Sequence, residues 1–171
     1  MKHWLICIGC VAIIAWAWLW ITEPGRRLDA ATDSSLCDRL SPAGDWPASV
    51  VEDVGSPQWT SNEDVTATSA YPAEAMRQFA QLGRVGRCER RYTAMRDGQT
   101  MAAIHTWIVG YATPTGAEAG FQMVGPQPGA HVVELPVPQI GDQAVLYLTD
   151  MRSMLVYRDG SVVIGVEVGP E

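Results

Sequence analysis

Side chains suited to acid–base or metal chemistry are few in this 171-residue chain. Histidine occurs at positions 3, 105 and 131, and His3 precedes an apolar run, so His105 and His131 are the candidates for general acid–base work or metal binding. The sequence has no HExxH, GxSxG or phosphate-loop pattern, and Cys7-Ile8-Gly9-Cys10 spells CxxC only within the apolar run. Adjacent carboxylates such as Glu52-Asp53 and Glu63-Asp64 diverge in any regular element. Asn62-Glu63-Asp64 lacks the alternating oxygens and glycine of a calcium loop. The expectation is therefore no catalytic residue, no metal, no cofactor and no enzyme. A binding surface has more material, since Trp46, Trp59, Tyr92, Trp107 and Tyr111 are many large aromatics for a small domain.

Positioning those side chains falls to two strands around Arg96-Asp97-Gly98, a triplet that recurs as Arg158-Asp159-Gly160. Asp-Gly suits the two positive-φ positions of a tight hairpin. An uninterrupted ladder then pairs Arg96 with Gln99, Ala94 with Met101, Tyr92 with Ala103, Arg90 with His105 and Cys88 with Trp107. Alternation puts Cys88, Tyr92, Ala94, Met101, Ala103, His105, Trp107 and Val109 on one face, and Arg87, Glu89, Arg91, Thr93, Thr100 and Thr106 on the other. His105, Trp107 and Tyr92 become the candidate ligand-binding residues, on a face expected to turn toward the core. A deep apolar pocket beneath Trp107 and His105 would mark a small-molecule site, and a filled sheet would mark a protein that works through contacts.

Other elements follow from the same rules. Ser35 to Leu40 suits a helical turn carrying Cys37, and Ser41 to Ser69 is broken by proline and glycine, with one short helix near Ala48 to Val54. Pro72 opens a helix whose Met76, Phe79, Ala80 and Gly83 share a face. A second helix starts near Thr113 to Glu118, with Ala117, Phe121 and Val124 as its apolar stripe. His131 to Val137 reads as an edge strand cut short by Pro136 and Pro138. A meander follows in Gln143 to Thr149, Ser153 to Arg158 and Ser161 to Val168, with Asp159-Gly160 pairing Tyr157 with Val162 and Leu155 with Ile164. The fold class is α+β: a two-layer domain with two helices on an antiparallel sheet of about five strands.

Trp4 to Ile21 is eighteen residues without a charge, about 27 Å as a helix, which suits a transmembrane anchor. Trp16, Trp18 and Trp20 cluster at its end and Pro24-Gly25 stops it. A cleaved signal peptide is the alternative, with Ala15-Trp16-Ala17 as the site. The expected organisation is an anchor or signal peptide over 1–21, a tether over 22–34 and one domain over 35–171. Eleven arginines against one lysine, with a net charge of −7, argue against nucleic acid as a partner. The charge is segregated: nine carboxylates and only Arg39 lie between Asp29 and Glu74, whereas Arg77, Arg84, Arg87, Arg90, Arg91 and Arg96 face only Glu89. That basic run either packs near the acidic one or offers a patch to an anionic ligand or lipid headgroup. Cys37 and Cys88, an even pair outside the apolar run, suit a disulfide in an oxidising compartment, two buried thiols in a cytosolic domain being the alternative.

The run from Cys88 through Tyr92, Asp97-Gly98, Tyr111-Ala112-Thr113, Ala117-Glu118-Ala119, Ile140-Gly141-Asp142-Gln143-Ala144 and Tyr157-Arg158-Asp159-Gly160 resembles a known group. Its members are small extracytoplasmic domains of unknown function in bacterial envelope lipoproteins and sensor-type proteins, especially of actinobacteria. The resemblance implies that the cysteine of a Cys-Asp-x-Leu element, here Cys37-Asp38-Arg39-Leu40, pairs with Cys88 at the head of the first strand. The chain departs from the group in lacking a lipobox before Cys10. What is expected is a non-enzymatic domain tethered to the cell membrane through Trp4 to Ile21, facing outward or secreted after cleavage. It would bind an apolar or anionic ligand or an envelope protein; the alternatives are a structural or accessory envelope protein without a small-molecule site and, behind it, an unrecognised enzyme.

Overall fold

The computed structural model describes residues 33–40, 42–124, 130–134 and 140–170. The anchor or signal segment expected over 1–21 lies outside the described residues. No helix among the described residues is long and apolar enough to cross a membrane.

The fold is α+β, as read from the sequence, but its antiparallel sheet has eight strands rather than about five. In chain order they are β1 (Val50–Glu52), β2 (Gln58–Thr60), β3 (Arg84–Arg96), β4 (Gln99–Tyr111), β5 (His131–Glu134), β6 (Gln143–Leu148), β7 (Ser153–Asp159) and β8 (Val162–Gly169). Their spatial order is β1-β3-β4-β8-β7-β6-β5, with β2 also on the outer edge of β3. The stretch expected as a short helix near Ala48 to Val54 is instead β1. Its β-branched Val50 and Val51 find a ready partner in the long β3, and Val50 buries its side chain beside Ala94.

Among the described residues there are three α-helices: α1 (Asn62–Ala67), α2 (Pro72–Leu82) and α3 (Pro114–Met123). Ser61 and Asp64 form the capping box of α1, so Asp64 belongs to a helix start rather than a cation loop. Pro72 occupies the first turn of α2, and Gly83 ends it in the left-handed region. Thr113 caps α3 by accepting a 3.0 Å bond from the Gly116 N–H. A 3-10 helix, Asp33–Arg39, carries Cys37 and begins inside the expected tether.

Asp97 and Gly98 both take positive φ, 52° and 76°, as a two-residue turn of this hand requires. Arg96 pairs with Gln99 and Met95 with Thr100, but Ala94 then pairs with Ala102, leaving Met101 as the extra residue of a bulge. The expected pairs beyond the turn are thus displaced by one residue, giving Tyr92 opposite Ile104 and Cys88 opposite Ile108. A shift of one exchanges the two faces of β4. The bulge sends Ile104 and Ile108 into the core beside Cys88 and Tyr92, and turns His105 and Trp107 to the opposite face. Aliphatic burial decides the matter, because the uninterrupted register would have set both isoleucines among Arg87, Glu89 and Arg91.

The second hairpin is shifted as well. Asp159 pairs with Val162, so Gly160 and Ser161 form the turn and Tyr157 meets Ile164. The shift is two residues, which preserves the faces. Its cause is tertiary: the Asp142 carboxylate accepts from the Gly160 N–H at 3.1 Å and from Arg158 at 2.7 Å, and fixes the turn from outside.

Each sheet face has its own core. On one, Leu36 and Leu40 pack against Cys88, Tyr92, Ile104 and Ile108. The Cys37–Cys88 disulfide joins that leading segment to β3. On the other, Ala117 and Phe121 of α3 pack with Tyr111, Val109, Trp107, Val156 and Val163. α3 and the end of α2 thus lie against one face, and the 3-10 helix that carries Cys37 covers the opposite one.

Candidate functional site

Beyond α3, the helix-bearing face carries a charge cluster built by strand alternation. Arg87, Glu89 and Arg91 project from β3, and His105 and Trp107 face them from β4 through the pairs Arg91–His105 and Glu89–Trp107. One oxygen of Glu89, Oε2, lies 3.0 Å from Arg87 Nη2 and 3.3 Å from His105 Nε2. The other, Oε1, accepts from Arg91 Nη2 at 3.0 Å. The Glu89 side chain is only 13% exposed, whereas that of Arg91 is 63% exposed.

Burial pushes the Glu89 carboxyl up, but Arg87, His105 and Arg91 together outweigh it and hold the group below the ordinary carboxylate range. At His105 the balance goes the other way. Desolvation favours the neutral ring and exceeds the attraction of Glu89, so the imidazole sits below its ordinary value. At neutral pH the contact is therefore a neutral N–H donated to a carboxylate rather than a salt bridge.

Trp107 is 9% exposed and lies flat on Gly165, its cross-strand partner. The Arg87 guanidinium sits over its ring, 5.5 Å from the centroid. The indole thus closes the space beneath Trp107, where a deep pocket would have marked a small-molecule site. Tyr92 does not join this group: the register places it on the opposite face, 1% exposed, with its ring 5.2 Å from Trp46. Burial raises its phenol. Trp46 and Trp59 are both partly buried against the core on that opposite face, with Leu36 and Tyr92, rather than standing free in an acidic loop. His131 lies on the edge strand β5, opposite Leu148 and away from the cluster.

Next to Glu89 and Arg91 is a shallow pit of about 80 Å³, walled by Asp53, Val54, Gly55 and Ser56 of the β1–β2 connection and by Gln58 at the start of β2. The walls are tied down, with Asp53 accepting from the Thr93 hydroxyl at 2.9 Å and Ser56 donating to Glu52 at 2.9 Å. Glu52 in turn takes Arg90 at 2.9 Å on the far side of β3. The pit has room for a few waters or one side-chain headgroup. Among the described residues, no three His, Cys, Asp or Glu side chains come together as metal ligands.

Of the three residues expected to form a ligand site, then, His105 and Trp107 are together and Tyr92 is not. Arg87, Glu89 and Arg91, assigned by the sequence to the other face, are their actual neighbours. The signal for that trio was present, since Arg-x-Glu-x-Arg in a strand puts a carboxylate between two guanidinium groups on one face. Only the bulge that brings His105 to it was hidden.

No protein-family profile and no curated protein matches the chain. Among solved structures, the chain is similar to the extracellular domain of PknH from Mycobacterium tuberculosis. The identity is 11%, with 83% of this chain and 88% of that one covered, at a TM-score of 0.43.

Proposed function

We propose that this is a non-enzymatic domain, tethered to the cell membrane by Trp4 to Ile21 and exposed outside the cytoplasm, that works by binding a partner through the charged face around Glu89. The observation that carries the reading is the Cys37–Cys88 bridge, with its Cα atoms 5.2 Å apart. Bridges of this kind persist in oxidising compartments, and this one holds the leading segment onto the central sheet. A surface partner is favoured over a buried small molecule because Trp107 fills its own space and the pit beside Glu89 is shallow. The arginines of this cluster are shared with Glu89, so the face is mixed in charge and better suited to a protein surface than to a purely anionic ligand.

A second reading rests on the His105–Glu89 contact, the usual pairing of a general base with its orienting acid. Against it, both Glu89 oxygens are already engaged by arginine, and Glu89 is the hydrogen-bond partner of the His105 ring among the described residues.

The test uses the full chain in a bacterial envelope. Thiols are alkylated before and after reduction, and a photo-crosslinking residue is placed at Thr93 or, as a control, at Gln78 on α2. The reading expects protection of Cys37 and Cys88 until reduction and a crosslinked species specific to Thr93. Free alkylation of both cysteines in the native protein would remove the extracytoplasmic placement, and equal crosslinking from both positions would remove the binding face.

A further inference from the structure

We propose that His105 is a proton-dependent competitor for Glu89, and that its protonation displaces Arg87 from that carboxylate. The device is internal to the domain, so it stands or falls apart from any partner. Its geometry is an oxygen with two claimants: Oε2 of Glu89 is shared by Arg87 at 3.0 Å and His105 at 3.3 Å, while Arg91 has Oε1 to itself. With a neutral ring, the carboxylate serves two cations. A proton on His105 makes three, and turns its long neutral contact into a charge-assisted bond that shortens onto Oε2. Two cations meeting at one oxygen repel, which weakens the hold of the one less firmly anchored.

Arg87 is the one that leaves. Its Nε is buried and has no hydrogen-bond partner among the described residues, so little else there holds it at Glu89. Its side chain is about one-third exposed, which gives Nη2 a path to water. It also keeps the Trp107 ring beneath it after release. The surrounding charges do not relieve the conflict. Glu167, opposite His105 on β8, is engaged by Arg152 at 2.8 Å, and Asp53 across the pit is bonded to the Thr93 hydroxyl. Acidification would therefore add one positive charge to this face and free a guanidinium beside Arg91. Because desolvation of the ring opposes its protonation, the transition falls below the ordinary histidine value of 6.5.

Side-chain NMR of the full chain in detergent micelles tests this between neutrality and the carboxylate range. Resonances to follow are the His105 ring, the Nε–H groups of Arg87 and Arg91, and the Trp107 indole N–H. The expected result is that Arg87 and Trp107 shift with the midpoint of His105 while Arg91 stays nearly still. His105→Gln, which keeps a neutral donor, should abolish both shifts, and Arg91→Gln should leave them in place. The proposal is overturned if His105 titrates without moving Arg87, if Arg91 moves in its stead, or if the shifts survive His105→Gln.

Discussion

Gly165 sits beneath the Trp107 indole, and the cost of giving it a side chain can be worked from the contact. A methyl group at position 165 would lie 2.6 Å from Nε1 of Trp107 and closer still to Cε2 and Cζ2. These are rigid ring atoms, held from above by Arg87, so the clash cannot be relieved by rotating a flexible chain end. Overpacking of this kind costs about 1–3 kcal/mol, a large part of a domain stability of roughly 5–15 kcal/mol. Trp107→Leu should cost less than the ~3–5 kcal/mol of a full truncation to alanine. In that background Gly165→Ala meets no ring, and should become neutral or stabilising by about 0.5–1 kcal/mol through the reduced freedom of the unfolded chain. Urea unfolding of wild type, both single variants and the double variant, followed by far-UV circular dichroism, gives the coupling directly. It should exceed about 1 kcal/mol, the lower limit of the removed clash, since the effect on the unfolded chain is common to both backgrounds and cancels. Costs that add within about 0.5 kcal/mol, as for independent sites, would show that Gly165 is not reserved for the indole.

Two further outcomes follow from the disulfide and the charge cluster. Replacing both Cys37 and Cys88 by alanine removes a cross-link between residues 51 apart, which chain-entropy reasoning makes worth about 4 kcal/mol; a loss below about 1 kcal/mol in urea titrations would mean that the unfolded chain is hardly constrained by it. Stability should fall on acidification in two windows: His105, depressed in the fold, is protonated first in the unfolded chain, so stability drops as pH falls below about 6.5, and Glu89, also depressed, adds a second loss below about 4.5. His105→Gln should remove the upper window alone, and a urea midpoint that rises between neutrality and the carboxylate range would contradict the desolvation argument.

Much of this fold is written in local chemistry. Asp97-Gly98 announces a positive-φ turn, Pro72 and Pro114 mark helix starts, and the spacing of Ala117, Phe121 and Val124 marks the buried stripe of α3. What escaped was decided at a distance. Val50–Glu52 and Gln58–Thr60 are too short to announce themselves, and become strands only because β3 offers an edge of thirteen residues. The Gly160-Ser161 turn is imposed by Asp142, which lies just before β6. Met101 bulges because the gain lies in Ile104 and Ile108, several residues away, and nothing in Gln99-Thr100-Met101 signals it. The candidate site shared this fate. Its residue types were visible, but one unpaired methionine determines whether His105 meets Tyr92 or Glu89.

The disulfide also has a mechanical meaning. Tension applied to the chain upstream of Asp33 can reach only the turn before Cys37 and cannot go on to unravel β1. It is diverted at Cys37 into Cys88, in the middle part of β3, a strand hydrogen-bonded to β2 on one side and β4 on the other. The segments between the two cysteines, including β1, β2, α1 and α2, form a covalently closed loop that carries none of the load. A pull on the leading end therefore reaches the most extensively paired strand first, and leaves the loop walling the pit beside Glu89 unstretched.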